Sequence, residues 1–277
     1  MIIDSHQHFW TPARGDYTWM PKDNPVLNRQ YLPADLAPIL QAQGVDGTIL
    51  VQAAATLHET EYMLGLADAS SFVKGVVGWV NFETQSDRAH LARLKGHPKF
   101  KGVRPMIQDI PDDAWMLRDE VQWACRALID LDLTFDALGF PRHLANFLTL
   151  LRRYPTLRVV IDHGMKPQIR AHSPENFQFW ADGMSRLADT GAFCKFSALI
   201  TEADPLWTVA ALKPYVDHIL TAFGPERIMW GSDWPVCRLR AEYEVWHQAA
   251  QTLTGHLPNS GKARIFGGSA TEFYGLA

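Results

Sequence analysis

The sequence lacks most of what marks a secreted, membrane-bound or nucleic-acid-binding chain. It has three cysteines in 277 residues, Cys125, Cys194 and Cys237, odd in number and far apart. They form neither a CxxC pair nor a disulfide framework, which argues against a stapled secreted fold and fits a reducing cytoplasm. No apolar run approaches the roughly 20 residues that span a bilayer. Met1 runs directly into Ile2-Ile3-Asp4, with no basic and apolar leader before the first strand-like run. There is no block of lysine or arginine either, and 26 basic against 30 acidic residues leave a formal charge of -4. A protein that tracks phosphate backbones needs a basic stripe to displace counterions. The expectation is a cytoplasmic protein with no nucleic-acid and no membrane partner. A Gly/Ser linker or composition break is also missing, so residues 1–277 read as one domain.

What is present is a regular alternation. Short β-branched, apolar runs occur at Ile2–His6, Val45–Gln52, Val73–Val80, Gly102–Met106, Leu133–Leu138, Arg158–His163, Ala192–Ala198 and Arg227–Asp233. Between them lie segments of helical period, in which Leu36, Ile39 and Leu40 share a face, as do Val121, Ala124, Cys125 and Leu128, and Leu144, Phe147, Leu148 and Leu151. Ser173-Pro174 reads as a helix start, a capping hydroxyl followed by proline at the first helical position. Eight strands with helices between them predict a single (β/α)8 barrel of the TIM type, with a long aromatic first loop from Phe9 to Pro33.

In such a barrel the chemistry sits at the C-terminal ends of the strands. The first run ends in His6-Gln7-His8, and residues two apart in an extended strand project to the same side. The sixth run delivers His163 and the eighth Asp233, and closure makes strands one and eight neighbours. Residues more than two hundred positions apart are thus predicted to meet. Three histidines and an aspartate are ligand types that zinc accepts, so His6, His8, His163 and Asp233 form the candidate metal set. Isolated histidines such as His90, His97, His218, His247 and His256 read as structural or solvated, and Asp4 lies too early for the mouth and reads as orienting a histidine or satisfying backbone donors. Candidate substrate contacts are Arg104 with its planar fork of donors, Lys166 just beyond His163, Gln52 at the end of strand two, and the aromatic faces of Trp79 and Trp234.

These segments resemble the amidohydrolase superfamily. The resemblance rests on Asp4-Ser5-His6-Gln7-His8-Phe9-Trp10, on Val159-Val160-Ile161-Asp162-His163-Gly164-Met165-Lys166-Pro167, on Cys194-Lys195-Phe196-Ser197, on Thr201-Glu202-Ala203-Asp204 and on Met229-Trp230-Gly231-Ser232-Asp233-Trp234-Pro235-Val236. It spans essentially the whole chain and is nearest to the sugar-lactonase branch, the L-fuconolactonase-like enzymes. The resemblance implies a distorted barrel that opens a sugar lactone ring, with Asp233 moving the proton. Two-metal members of the superfamily carry a bridging Lys or Glu after strand four and a His after strand five. Here those places read Val103-Arg104-Pro105-Met106 and Phe135-Asp136-Ala137-Leu138. The resemblance therefore implies one divalent metal, zinc, whose necessity differs between members of the branch.

Lactone hydrolysis needs an activated water, an electrophile at the carbonyl and a proton for the leaving alkoxide. Asp233 as general base and acid, with His163 and the other histidines at the carbonyl, supplies all three. The rival is a decarboxylase of an unsaturated or aromatic acid on the same barrel, and behind it a binding protein that has lost its reaction. The expected partner is a small sugar lactone; which one, and the oligomeric state, are not written in the spacing.

Overall fold

The computed structural model describes residues 1–276 and arranges eight parallel strands in one sheet, in chain order. They are β1 (Ile3–Gln7), β2 (Gly47–Val51), β3 (Val73–Gly78), β4 (Phe100–Val103), β5 (Thr134–Ala137), β6 (Val159–Ile161), β7 (Phe193–Phe196) and β8 (Ile228–Trp230). Helices connect them, among them Pro33–Gln43, Gln122–Asp130, Leu144–Arg153 and Pro174–Ala188. This is the (β/α)8 barrel expected from the alternation. Ser173 caps its helix as predicted, its hydroxyl accepting from the Asn176 amide at 3.1 Å.

Strand ends differ from the sequence reading for local reasons. β4 stops at Val103, because Pro105 has no N–H to offer a ladder. β6 stops at Ile161 instead of His163, because the chain enters the left-handed region at His163, φ 57°. β8 likewise ends at Trp230, three residues short of Asp233.

The period of two in a strand divides side chains between two cores. Leu50, Val76, Phe135, Ile161, Cys194, Phe196 and Trp230 pack outward against the helices, where they meet Leu36, Leu40, Ala124, Cys125, Leu128, Phe147, Leu148 and Leu151. Each such burial stabilises by about 1.5–3 kcal/mol for a Leu- or Phe-sized chain. Ile3, Ile49, Val51, Val77, Val160 and Met229 form a second, separate cluster, completed by Ala270, Phe273 and Tyr274 of the last helix, Ser269–Tyr274. That cluster is the floor of the barrel.

β1 and β8 meet just beyond the regular ladder, where the Asp233 amide donates to the His6 carbonyl and the His8 amide to the Trp234 carbonyl, both at 2.7 Å. Gly231 permits the approach: a Cβ there would lie 2.8 Å from the His6 Cβ. The first loop is tied across its base by the Trp10–Tyr31 bridge and buries Trp10, Tyr17, Met20, Leu27 and Tyr31. Among the described residues no helix is long and apolar enough to cross a membrane.

Candidate active site

The closure brings His6, His8 and Asp233 together, as the strand-end argument requires. His8 Nδ1 lies 2.7 Å from the Val51 carbonyl, which can only accept, so the ring proton sits there and the Nε2 lone pair faces inward. That Nε2 is 3.2 Å from His6 Nε2 and 3.2 Å from Asp233 Oδ1, and His6 Nε2 is 3.7 Å from the same oxygen. A nitrogen and a carboxylate oxygen at such distances share either a proton or a metal cation. Ligand atoms 2.0–2.2 Å from one tetrahedral ion stand about 3.3–3.6 Å apart, so the donor set fits a zinc-sized cation in both chemistry and spacing. Asp233 is held in the left-handed region, φ 56°, a conformation that costs a non-glycine residue about 1–3 kcal/mol and that its amide bond to His6 fixes.

His163 reaches the cluster from the turn after β6. Its ring centroid is 4.5 Å from that of His6, and its Nδ1 pairs with Ser197 Oγ at 2.8 Å. It groups with His6 and Asp162, not with His8 and Asp233, so the single four-ligand set expected from sequence divides into two overlapping triads that share His6. Burial pushes the His163 imidazole down to about 3, against the pull of Asp233 and Asp162, so the ring is neutral near pH 7. Burial alone would raise the Asp233 carboxyl, but His163 and His8 outweigh it and hold it below the ordinary carboxylate range.

Beneath these groups lies a charged layer that sequence reasoning did not assign. Lys195, inward-facing on β7, is fully buried; its Nζ is 2.5 Å from Asp136 Oδ2 of β5, 3.1 Å from Asp162 Oδ1 and 3.1 Å from His6 Nδ1. Tyr274 donates to the same Asp136 oxygen at 2.7 Å. Burial raises the Asp162 carboxyl, but Lys195 and His6 outweigh it and hold it well below its ordinary value. His6 Nδ1 thus faces a cationic donor and, at 3.6 Å, the Asp162 carboxylate. A lone pair at Nδ1 is met by the lysine and a proton by the aspartate, so His6 can present either a lone pair or an N–H at Nε2. The signal for this layer was a lysine and two aspartates at inward positions of otherwise apolar strands, where a charge is retained only if partnered.

Above the cluster opens a cavity of about 330 Å³. His8, Arg104, Gln108, Asp109, His163, Lys166 and Asp233 are its polar lining, and Trp10, Trp19, Ala53, Met106, Leu138 and Val236 its apolar lining. Arg104 lines it as expected, although its fork already serves Asp162 Oδ2 at 3.3 Å and the Gln52 carbonyl, with Nη1 also 3.2 Å from His6 Nε2. Lys166 stands at the rim, its ammonium on Gln108 Oε1 at 2.7 Å. Three expected contacts lie elsewhere. Gln52 is fully buried, its amide donating to the Arg104 carbonyl at 2.6 Å, so it supports Arg104 and does not line the cavity. Trp79 lines a smaller neighbouring hollow with Asn81 and Trp115. Trp234 is buried against Phe9 and Tyr31 and braces the β1–β8 seam from behind. The aromatic that does face the cavity with an exposed ring is Trp19, 40% exposed and anchored by its Nε1–H on the Ala53 carbonyl at 2.6 Å. Asp4, as expected, serves backbone donors: it accepts from the amides of His6 and Ser232.

Glu59 was also missed, since it lies in the helix after β2. Fully buried, it accepts from the amides of Ala53 and Ala54 at 2.7–3.1 Å and so shapes the loop on which Trp19 rests. Burial pushes its carboxyl up to about 8 despite those bonds.

Known proteins resemble the chain from end to end. The sequence profile of the amidohydrolase family matches residues 3–276. An L-fucono-1,5-lactonase of Burkholderia ambifaria is 42% identical, over 98% of this chain and 94% of its own length. A second L-fucono-1,5-lactonase, from Burkholderia multivorans, is 34% identical over 99% of this chain and 96% of its own. The crystal structure of an amidohydrolase from Burkholderia multivorans with bound zinc superposes with a TM-score of 0.95 at 33% identity, covering all of both chains. With its histidine pair, late aspartate, eight-stranded barrel and full-length profile match, this chain belongs to the amidohydrolase family.

Proposed function

We propose that the protein hydrolyses the lactone ring of a sugar acid, with L-fucono-1,5-lactone the first substrate to test. The observation that carries this reading is a buried carboxylate, Asp233, held below the ordinary carboxylate range in a cavity lined by both polar and apolar side chains. A compact polyhydroxylated ring offers hydroxyls and C–H groups that such a mixed lining can meet. The full-length likeness to two L-fucono-1,5-lactonases supports the same substrate class.

Asp233 takes a proton from the attacking water and returns it to the ring oxygen as the acyl–oxygen bond breaks, leaving an alcohol and a carboxylic acid that then ionises and releases its proton to solvent. The depressed carboxyl suits the first step, since the group is ready as a base across the neutral range. His163 stands ready at the carbonyl: the tautomer required is the one in which the Ser197 hydroxyl, 2.8 Å from Nδ1, donates there, leaving the Nε2–H to donate to the developing oxyanion. Arg104 adds positive charge beside it, and Lys166 with Gln108 meets the sugar hydroxyls at the rim. His6, His8 and Asp233 would hold one zinc, which supplies a Lewis acid for the carbonyl or lowers the pKa of a bound water. His163 stands aside from that set, as an oxyanion donor.

A pH-indicator assay over 1,4- and 1,5-aldonolactones, with and without added zinc, tests the reading. Acid release from L-fucono-1,5-lactone and close stereochemical relatives is expected. No lactone turnover, with carbon dioxide released from an unsaturated or aromatic acid, would overturn it in favour of a decarboxylase.

A further inference from the structure

Two triads in the lumen have the composition to hold a metal ion, His6 with His8 and Asp233, and His6 with Asp162 and His163. They differ in what already stands beside them. The first opens to the cavity. Against two members of the second, His6 and Asp162, lies the Lys195 ammonium, 3.1 Å from both Asp162 Oδ1 and His6 Nδ1 and also 2.5 Å from Asp136 Oδ2. All four of these side chains are fully buried.

We infer that Lys195 is the resident cation of the second triad, filling with a covalently attached positive charge the place that a second metal ion would otherwise take. Charge balance supports this. Asp136 and Asp162 bring two negative charges to the layer, and Lys195 with Arg104, 3.3 Å from Asp162 Oδ2, brings two positive ones. With both carboxylates ionised the layer is neutral, and a divalent ion added to it would leave two uncompensated charges in a medium where even one is costly. Removal of the ammonium reverses the situation, leaving two carboxylates and an imidazole facing a vacated space with only Arg104 to offset them. Lys195 thereby acts as a positioning residue, fixing the lower side of His6 while its Nε2 faces His8 and Asp233.

The inference concerns ion count and is independent of the substrate, so its failure and the failure of the lactonase reading can be told apart. Zinc per chain is measured by elemental analysis after equilibration with excess zinc and removal of loosely bound ion. The comparison is between the wild type, Lys195→Ala and Lys195→Arg, with kcat and KM on a lactone in parallel. Wild type is expected to saturate at no more than one zinc. Lys195→Ala is expected to hold one zinc more than wild type, with a zinc-dependent rise in Tm that wild type lacks. Lys195→Arg, which keeps the charge, is expected to match the wild-type count and to retain kcat better than the alanine variant. Where Lys195→Ala does not fold, Lys195→Gln keeps the length and polarity and carries the same expectation. A wild type with two zinc ions overturns the inference, as does a folded Lys195→Ala or Lys195→Gln with the wild-type count.

Discussion

The two ends of the barrel lumen are built by the same eight strands and have opposite chemistry. At the floor Ile3, Ile49, Val51, Val77, Val160 and Met229 interdigitate under Phe273 and Tyr274, so the end is closed and every neighbour is apolar or hydrogen-bonded. A few residues further along the same strands the inward positions become His6, Asp136, Asp162, Lys195 and Ser197, and the side chains above them face a cavity. The contrast teaches where stability and chemistry are separately located. The floor buries apolar surface and has nothing to react with. The mouth keeps charges and lone pairs close together at a cost in stability, held by backbone bonds that fix their directions.

The sharpest way to break this contrast is Asp233→Asn. It keeps size and shape while removing the base, so kcat on a lactone should fall by about 10²–10⁴-fold, with Tm close to wild type. Near-normal kcat would remove Asp233 from its role. The converse is Phe273→Ala at the floor, where the ring centroid lies 4.9 Å from those of both Phe193, tilted against it, and Tyr274, edge-on to it. Urea unfolding should show a loss of about 3–5 kcal/mol, with KM unchanged at temperatures where the variant is folded. A shift in KM comparable to the stability loss would mean that the two ends are coupled.

Smaller effects sharpen the boundary between the regions. Trp19→Ala removes the exposed ring over the cavity and should raise KM about tenfold, with little change in unfolding free energy, because the residue belongs to the mouth although it sits on a loop. The smallest expected effect is a pH dependence. A carboxyl raised to about 8, as burial raises Glu59, binds its proton more tightly in the folded chain than in the unfolded one, whose value is 4.5. Its contribution to stability is complete below about 4.5 and is lost as pH climbs through 8. Lowered histidines such as His163, at about 3, act in the opposite sense and chiefly below the unfolded value of 6.5. Between pH 7 and 8 Glu59 contributes a fall of about 1 kcal/mol to urea melts, opposed in part by the tail of the lowered histidines, and Glu59→Gln should remove that falling component. An equal slope in that variant would assign the dependence to another group.

The barrel was legible in the sequence because each strand announces itself by β-branched runs and each helix by an apolar face, and both signals are local. The meeting of His6 and Asp233 followed from closure alone. Less legible was anything decided by the path of the chain at a strand end. Gln52 and Trp234 stand at the right height but turn away from the cavity, and only the backbone geometry of the β1–β8 seam and the Arg104 carbonyl decides that. His163 belongs to a left-handed turn that no propensity announced. Lys195 and Asp136 were visible as charges within apolar strands, yet their mutual pairing depends on the registers of β5 and β7, which are separated by a strand and share no local pattern.

The most direct measurement is kcat on L-fucono-1,5-lactone and the free energy of unfolding, determined side by side for wild type, Asp233→Asn and Phe273→Ala. The expected pattern is crossed: Asp233→Asn loses at least about a hundredfold in kcat and little stability, and Phe273→Ala loses stability and keeps kcat. An Asp233→Asn enzyme that turns the lactone over at the wild-type rate would contradict it.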